Sequence, residues 1–189
     1  MPRDLTVDDL AGLSPDLRYE LIDGRLVVQS RTPIDQGLVM RVLEAIDDAA
    51  DDPELLTVHS LSLSVDRRNE LRPAIVVIDP RRGNANRSPV PIADAVLVVD
   101  LVTSVCHFRD LQAKATVYAA AGPPYWWVMD PLHDGVITMT EYRFQDGSCG
   151  IAQSTADVFT TTDPFPVQVN LPALASWRNR LLERARPAT

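Results

Sequence analysis

Asp100 is the residue whose surroundings most clearly suggest chemistry. It interrupts an otherwise apolar run, Val98-Val99-Asp100-Leu101-Val102. A buried ionised carboxylate is costly unless it pairs with a cation or binds a metal ion. Two interpretations are therefore open: Asp100 is a functional acid, or it lies where the strand has already emerged or beside an arginine.

Lys114 is the only lysine among eighteen basic residues. Lysine can lose its proton when its pKa shifts, whereas arginine effectively cannot. Asp110 lies four residues earlier on a predicted helix, so a surface ion pair is the simpler explanation for Lys114. Glu20 also interrupts an apolar strand, where ordinary hairpin alternation is the simpler explanation.

Other chemistries find little support in the sequence. His59, His107 and His133 lack metal-ligand spacing, and no glycine-rich phosphate loop or serine elbow is present. Six arginines fall within residues 67–87, diluted by acidic residues. They indicate a pair of solvated loops more than a rim that contacts phosphate.

The elements that must position these residues follow from periodicity and turn signals. Asp23-Gly24 predicts a β-hairpin. Helices are predicted after Pro33, over residues 109–121 and after Asn170. Strands are predicted at residues 55–65, 74–78, 95–102, 125–129, 136–143 and 165–169, with a loop at 79–94. The fold class is α/β (α+β): one mixed sheet flanked by helices, with an N-terminal hairpin before a helix-strand-strand-strand-helix-strand core.

Composition limits the remaining possibilities. The 189 residues suit a single domain, and the net charge of −8 disfavours a broad, sequence-blind grip on nucleic acid. No apolar run approaches the ~20 residues that cross a bilayer, and the N-terminus does not resemble a signal peptide. Two cysteines fit a reducing compartment, so we expect a cytoplasmic protein without membrane contact.

Several motifs together resemble a known family. They are Thr6–Leu10, Tyr19–Val27, Arg72–Val77, Leu97–Val102, Arg109–Lys114 and Tyr118–Pro131. In residue types and spacing they are similar to the Uma-two-type restriction endonucleases of the PD-(D/E)XK nuclease superfamily. The resemblance covers residues 5–143, which leaves 144–189 as a C-terminal strand and helix extension of one nuclease-like domain. It implies the restriction-endonuclease-like fold.

The resemblance also implies metal-dependent cleavage of a phosphodiester, with DNA as partner and Mg²⁺ or Mn²⁺ as cofactor. Asp100 and Glu20 would be the metal ligands, because hard cations prefer oxygen. Lys114 would be the lysine that positions or deprotonates the attacking water. Asp100, Glu20 and Lys114 are thus the predicted catalytic residues, and they should converge in one cleft with Ala74.

The sequence departs from the family pattern at this site. Ala74 stands where the family has a metal-binding aspartate, and Asp100 stands where it has a glutamate. Asp79 is five residues from Ala74 on a strand and has the opposite side-chain parity, so it cannot replace that ligand. The turn at residues 103–106 has lost its proline.

We therefore expect a nuclease-like protein with an eroded site, weak or inactive, which would need no metal and act by binding nucleic acid or another protein. The alternatives are an active nuclease using Glu20, Asp100 and Lys114, or a nuclease inactivated by an engineered change at Ala74. A homodimer is also expected, because the last helix and the aromatic strand Tyr125-Trp126-Trp127 offer apolar surface. Alternation could instead place the two tryptophans on the two faces of the protein's own sheet.

Overall fold

The structure is a computed structural model that describes residues 4–14, 17–50, 52–103, 108–132, 135–145 and 147–185. The helices are α1 (Val7–Leu10), α2 (Pro33–Ala49), α3 (Phe108–Ala121) and α4 (Leu171–Arg184). The strands are β1 (Tyr19–Ile22), β2 (Arg25–Val28), β3 (Leu56–His59), β4 (Leu63–Asp66), β5 (Asn69–Leu71), β6 (Ile75–Ile78), β7 (Val90–Pro91), β8 (Ala95–Leu101), β9 (Tyr125–Asp130), β10 (Thr138–Gln145), β11 (Ser148–Thr155), β12 (Val158–Thr161) and β13 (Val167–Asn170).

A six-stranded mixed sheet forms the centre, in the order β11-β10-β9-β8-β6-β3. β8 pairs antiparallel with β6 and parallel with β9. All seven residues of β8 are buried, which a continuous apolar run predicts for a central strand. The predicted fold class is confirmed: mixed sheet and flanking helices are both present.

A second sheet was not predicted. It has five strands in the order β2-β1-β5-β4-β7, and a third sheet contains only β12 and β13. The expectation of one sheet, with a single strand over residues 55–65, is wrong because the chain turns at Ser60. Ser60 has a positive φ of 54°, which an extended strand does not allow, so β3 and β4 join different sheets. The predicted loop at 79–94 also contains two short 3₁₀ helices and β7.

The six-stranded sheet has an apolar core on each face. One core packs the sheet against α2, α4 and the β12–β13 hairpin. The other packs it against α3 and the five-stranded sheet, through residues such as Ile22, Leu71, Val98 and Tyr118. The two sheets and α3 therefore enclose one layer of the molecule.

Helix α2 begins at a well-formed N-cap. The Thr32 hydroxyl accepts a hydrogen bond from the Asp35 backbone N–H at 3.1 Å, and Pro33 occupies the first helical position. Leu38, Val42 and Ile46 recur at helical spacing and are fully buried against the sheet. This helix thus covers the face of the sheet opposite to α3.

The tryptophans of β9 lie inside the protein. Trp126 and Trp127 are 1% and 0% exposed, and they belong to the two cores on opposite faces of the sheet. They are therefore unavailable as surface for a homodimer, which remains a prediction. Within the described residues, no helix combines the length and the apolar character that a membrane crossing requires.

Candidate active site

Glu20 reaches the site from the hairpin of β1 and β2. The turn places Asp23 and Gly24 at φ values of 47° and 74°, the left-handed conformation that the Asp-Gly pair tolerates. Glu20 shares its face of β1 with Ile22, which packs in the core beneath α3. The carboxylate is therefore buried, at 2% exposure, and accepts the Arg72 backbone N–H at 2.8 Å.

Asp100 lies in the same space between the two sheets, on a strand of the six-stranded sheet. It is the sixth residue of β8, shares its face with Val98, and is 3% exposed. Its Oδ2 accepts hydrogen bonds from Trp126 Nε1 at 2.9 Å and from the Tyr118 hydroxyl at 3.3 Å. These donors compensate part of the cost of burying the carboxylate.

Lys114 connects the two acids. Its Nζ lies 2.7 Å from Asp100 Oδ1 and 2.7 Å from Glu20 Oε1, and its side chain is 4% exposed. Lys114 and Tyr118 are four residues apart on α3, so they share the helix face directed at Asp100. The site is thus built from one helix and one strand of each large sheet.

The charges of this cluster fix its protonation. Burial alone would lower the pKa of Lys114, but the charges and hydrogen bonds of Asp100 and Glu20 outweigh it and raise that pKa above its usual value. Burial and the same two carboxylates raise the pKa of Tyr118 well above its usual value. At neutral pH Lys114 is therefore an ammonium and Tyr118 a neutral donor, so Lys114 cannot act as a base in this state.

Ala74 lies just before β6, the strand that pairs with β8. Its N–H donates to the Val99 carbonyl at 2.8 Å, and Val99 is also the register partner of Ile75. The Ala74 methyl group, 1% exposed, packs with Ile75 and Val99 in the core that contains α2, whereas Asp100 shares the opposite face with Val98. Ala74 does not line the cavity beside Glu20, Asp100 and Lys114. The structure therefore brings these three side chains together, but not that of Ala74.

The donor set does not fit a divalent metal ion. A cavity of about 30 Å³ adjoins Glu20, Asp100 and Lys114, which is room for a water molecule or an ion. Among the described residues, however, no three His, Cys, Asp or Glu side chains cluster closely enough to hold a metal. The ammonium already contacts the two acids that are present. Mg²⁺ would need several oxygen ligands, so these residues alone do not form its site.

The other residues considered in the sequence analysis do not belong to this cluster or lie outside the described residues. Asp79 accepts hydrogen bonds from Arg81 and caps a 3₁₀ helix. The expected Asp110–Lys114 pair involves a side chain outside the described residues. The altered turn also lies outside them from residue 104 to 106.

Comparison with known proteins identifies the family of the chain. Residues 6–173 match the Uma2 family, described as "Putative restriction endonuclease". The chain belongs to the Uma2 family. The family match continues past residue 143 to the start of α4. No curated protein matches the chain.

A crystal structure described as a "putative nuclease belonging to DUF820" from Anabaena variabilis has a similar fold. Its TM-score is 0.71 at 15% sequence identity, and the alignment covers 92% of this chain and 99% of that one. At this identity the likeness concerns the fold. It agrees with the restriction-endonuclease-like architecture expected for an Uma2 protein.

Three residues near the site were missed by the sequence reasoning. Tyr118 could have been found, because it lies one helical turn after Lys114 and Lys114 was already a candidate. Trp126 could not have been found from the sequence, because its contact with Asp100 depends on the parallel pairing of β8 with β9. Arg31 lines the cavity from the segment between β2 and α2, where the sequence shows no periodic pattern.

Proposed function

We propose that this Uma2 protein is an endonuclease-like protein that binds the nucleic-acid backbone and cleaves phosphodiester bonds weakly or not at all. Lys114 provides the main support: its ammonium contacts both carboxylates of the site at 2.7 Å. A metal-dependent hydrolase needs anionic oxygens free to hold a cation. Here the cation between the acids belongs to the protein itself.

Each predicted site residue has a role in this proposal. Asp100 and Glu20 are the two remaining ligand positions, and Lys114 is the lysine that would contact water or phosphate in an active relative. Ala74 is the position of the absent third carboxylate. The cytoplasmic location and the homodimer expected from the sequence remain proposals as well.

Cleavage of supercoiled plasmid in Mg²⁺ or Mn²⁺ tests the proposal. We expect nicking close to the rate without protein. Efficient Mg²⁺-dependent cleavage that Asp100→Ala abolishes would instead establish the alternative, an active nuclease that uses Glu20, Asp100 and Lys114.

Ala74→Asp tests the identity of the missing ligand. It introduces a carboxylate at the position where the family resemblance implies a metal-binding aspartate, so Mn²⁺ affinity measured by calorimetry should rise at least about tenfold, since removing or adding a charged oxygen changes both coordination and charge. Ala74→Asn is the matched control, because it adds similar volume in the buried site without the charge. Equal Mn²⁺ affinity in the two variants would show that position 74 is not a ligand position.

A further inference from the structure

A groove adjoins the site cavity on the side of the segment between β2 and α2. It has a volume of about 320 Å³ and is lined by Leu17, Arg18, Val28, Gln29, Ser30, Arg31 and Gln36. Val28 to Arg31 also line the cavity beside Asp100, so the two hollows share a wall. A ligand in the groove would lie next to the acidic site.

The groove is locally basic in an acidic protein. The chain carries a net charge of −8, yet the described residues that line the groove include two arginines, Arg18 and Arg31, and no carboxylate. A concave surface lined by charge of one sign concentrates ions of the opposite sign. The groove therefore favours an anion, and its size suits a phosphodiester group better than the 30 Å³ cavity does.

Arg31 is held in place by Ser60, in the turn that follows β3. Its Nη1 donates to Ser60 Oγ at 2.8 Å, and the Ser60 backbone N–H donates to the Ala74 carbonyl at 3.0 Å. Ser60 is the residue with positive φ at the end of β3, so the turn between the two sheets aims its hydroxyl at Arg31. The guanidinium is thus held by the Ser60 hydroxyl, and Ser60 is itself held by the backbone of the residue that precedes β6.

Arg31 is also free to bind an anion. Among the described residues no carboxylate lies within ion-pair distance of it, although Asp100 and Glu20 act on it from farther away. Burial lowers its pKa, but a guanidinium titrates so high that it stays charged. Some other arginines differ, because Arg67, Arg68 and Arg81 each pair with at least one carboxylate. A half-buried arginine without an ion pair has donors left for a ligand.

We propose that Arg31 holds a backbone phosphate of nucleic acid in this groove without a metal ion, with Arg18, which also lines the groove, as a second contact. A guanidinium binds phosphate through a planar fork of N–H donors and carries the charge that a metal ion would otherwise supply. The inference rests on the proposed function, because a metal-free phosphate contact matters where the metal site is incomplete.

Fluorescence anisotropy in EDTA tests the inference, with short labelled single strands of the same sequence as DNA and as RNA. Arg31→Gln should raise the Kd at least about fivefold and reduce the slope of log K against log salt by about 0.7, the change for one lost phosphate contact. Arg31→Lys keeps the charge but not the fork, so it should keep the slope and raise the Kd less. Arg25→Gln, an exposed arginine of β2 outside both hollows, should bind like the wild type.

The outcomes separate this inference from the proposed function. Unchanged binding in Arg31→Gln or equal loss in Arg25→Gln would overturn the role of Arg31 and leave the proposed function standing, whereas no binding by the wild type would contradict both. If Arg31→Gln unfolds, Arg31→Lys still decides, because binding equal to the wild type would contradict the need for the planar fork. Metal-dependent plasmid cleavage by the wild type would contradict the proposed function and leave the anisotropy result standing. Binding of DNA alone or RNA alone would identify which nucleic acid the groove accepts.

Discussion

Lys114 determines the electrostatic state of the site at the residue scale. One ammonium contacts two carboxylates within a layer that is almost inaccessible to solvent. Without it, two negative charges would remain buried with only neutral donors, Trp126, Tyr118 and a backbone N–H. Lys114 therefore holds this site together.

The pKa of Lys114 can be measured directly, because the chain has no other lysine. With lysine labelled by carbon-13 at Cε, NMR should show a single signal that begins to titrate only above about pH 10.4, the usual value. Burial lowers the pKa of Lys114, but the negative charges of Asp100 and Glu20 stabilise the ammonium and raise that pKa by more. A midpoint at or below the usual value would contradict the ion cluster.

The same cluster should contribute to stability. Lys114→Met leaves the two carboxylates without their cation, so the free energy of unfolding in urea should fall by about 3–5 kcal/mol at pH 7. Because folding raises the pKa of Lys114, its contribution to stability is complete below about pH 10.4 and declines as the pH rises further. The free energies of unfolding of the wild type and the variant should therefore converge at high pH. Arg25→Met, on the exposed end of β2, should change stability little.

At the element scale, the site depends on pairings that a single sequence encodes only weakly. The hairpin, the buried strands and the helices were predictable, because Asp23-Gly24 and the apolar runs are signals that a short stretch of sequence contains. The division into two sheets was not, because it depends on the conformation of one residue, Ser60. Asp100 was therefore recognised as a candidate from its apolar surroundings, Lys114 because it is the only lysine, and both from the family resemblance, whereas Arg31 needed the fold.

Helix packing on the far face of the sheet depends on one glycine in α2. An added Cβ at Gly37 would lie 2.5 Å from a ring carbon of Trp177 in α4. Alanine favours the helix by up to about 1 kcal/mol over glycine, but overpacking against a rigid ring costs about 1–3 kcal/mol. Gly37→Ala should therefore lower the free energy of unfolding by about 1 kcal/mol. In a Trp177→Ala background, Gly37→Ala should instead raise the free energy of unfolding, because the ring that it would meet is absent. If Gly37→Ala lowers it there too, the contact between Gly37 and Trp177 is contradicted.

At the scale of the whole molecule, the edge of the six-stranded sheet formed by β11 offers a surface for the homodimer expected from the sequence. Strand β11 is terminal in that sheet and pairs on its other side with no strand of the described residues. Its eight residues, Ser148–Thr155, include no charged residue and no proline, the features that usually protect an edge. Ile151 is 64% exposed on it.

We therefore expect two copies to pair along β11. Light scattering should give twice the chain mass of 20.9 kDa. Ile151→Lys should give the monomer, because a charge on an edge strand opposes pairing. Leu132→Lys, at a residue that is 54% exposed away from β11, should remain a dimer.

Each copy carries a net charge of −8, so screening by salt should strengthen the dimer, whereas salt weakens phosphate binding by Arg31. A monomer mass for the wild type at every protein and salt concentration would contradict pairing along β11.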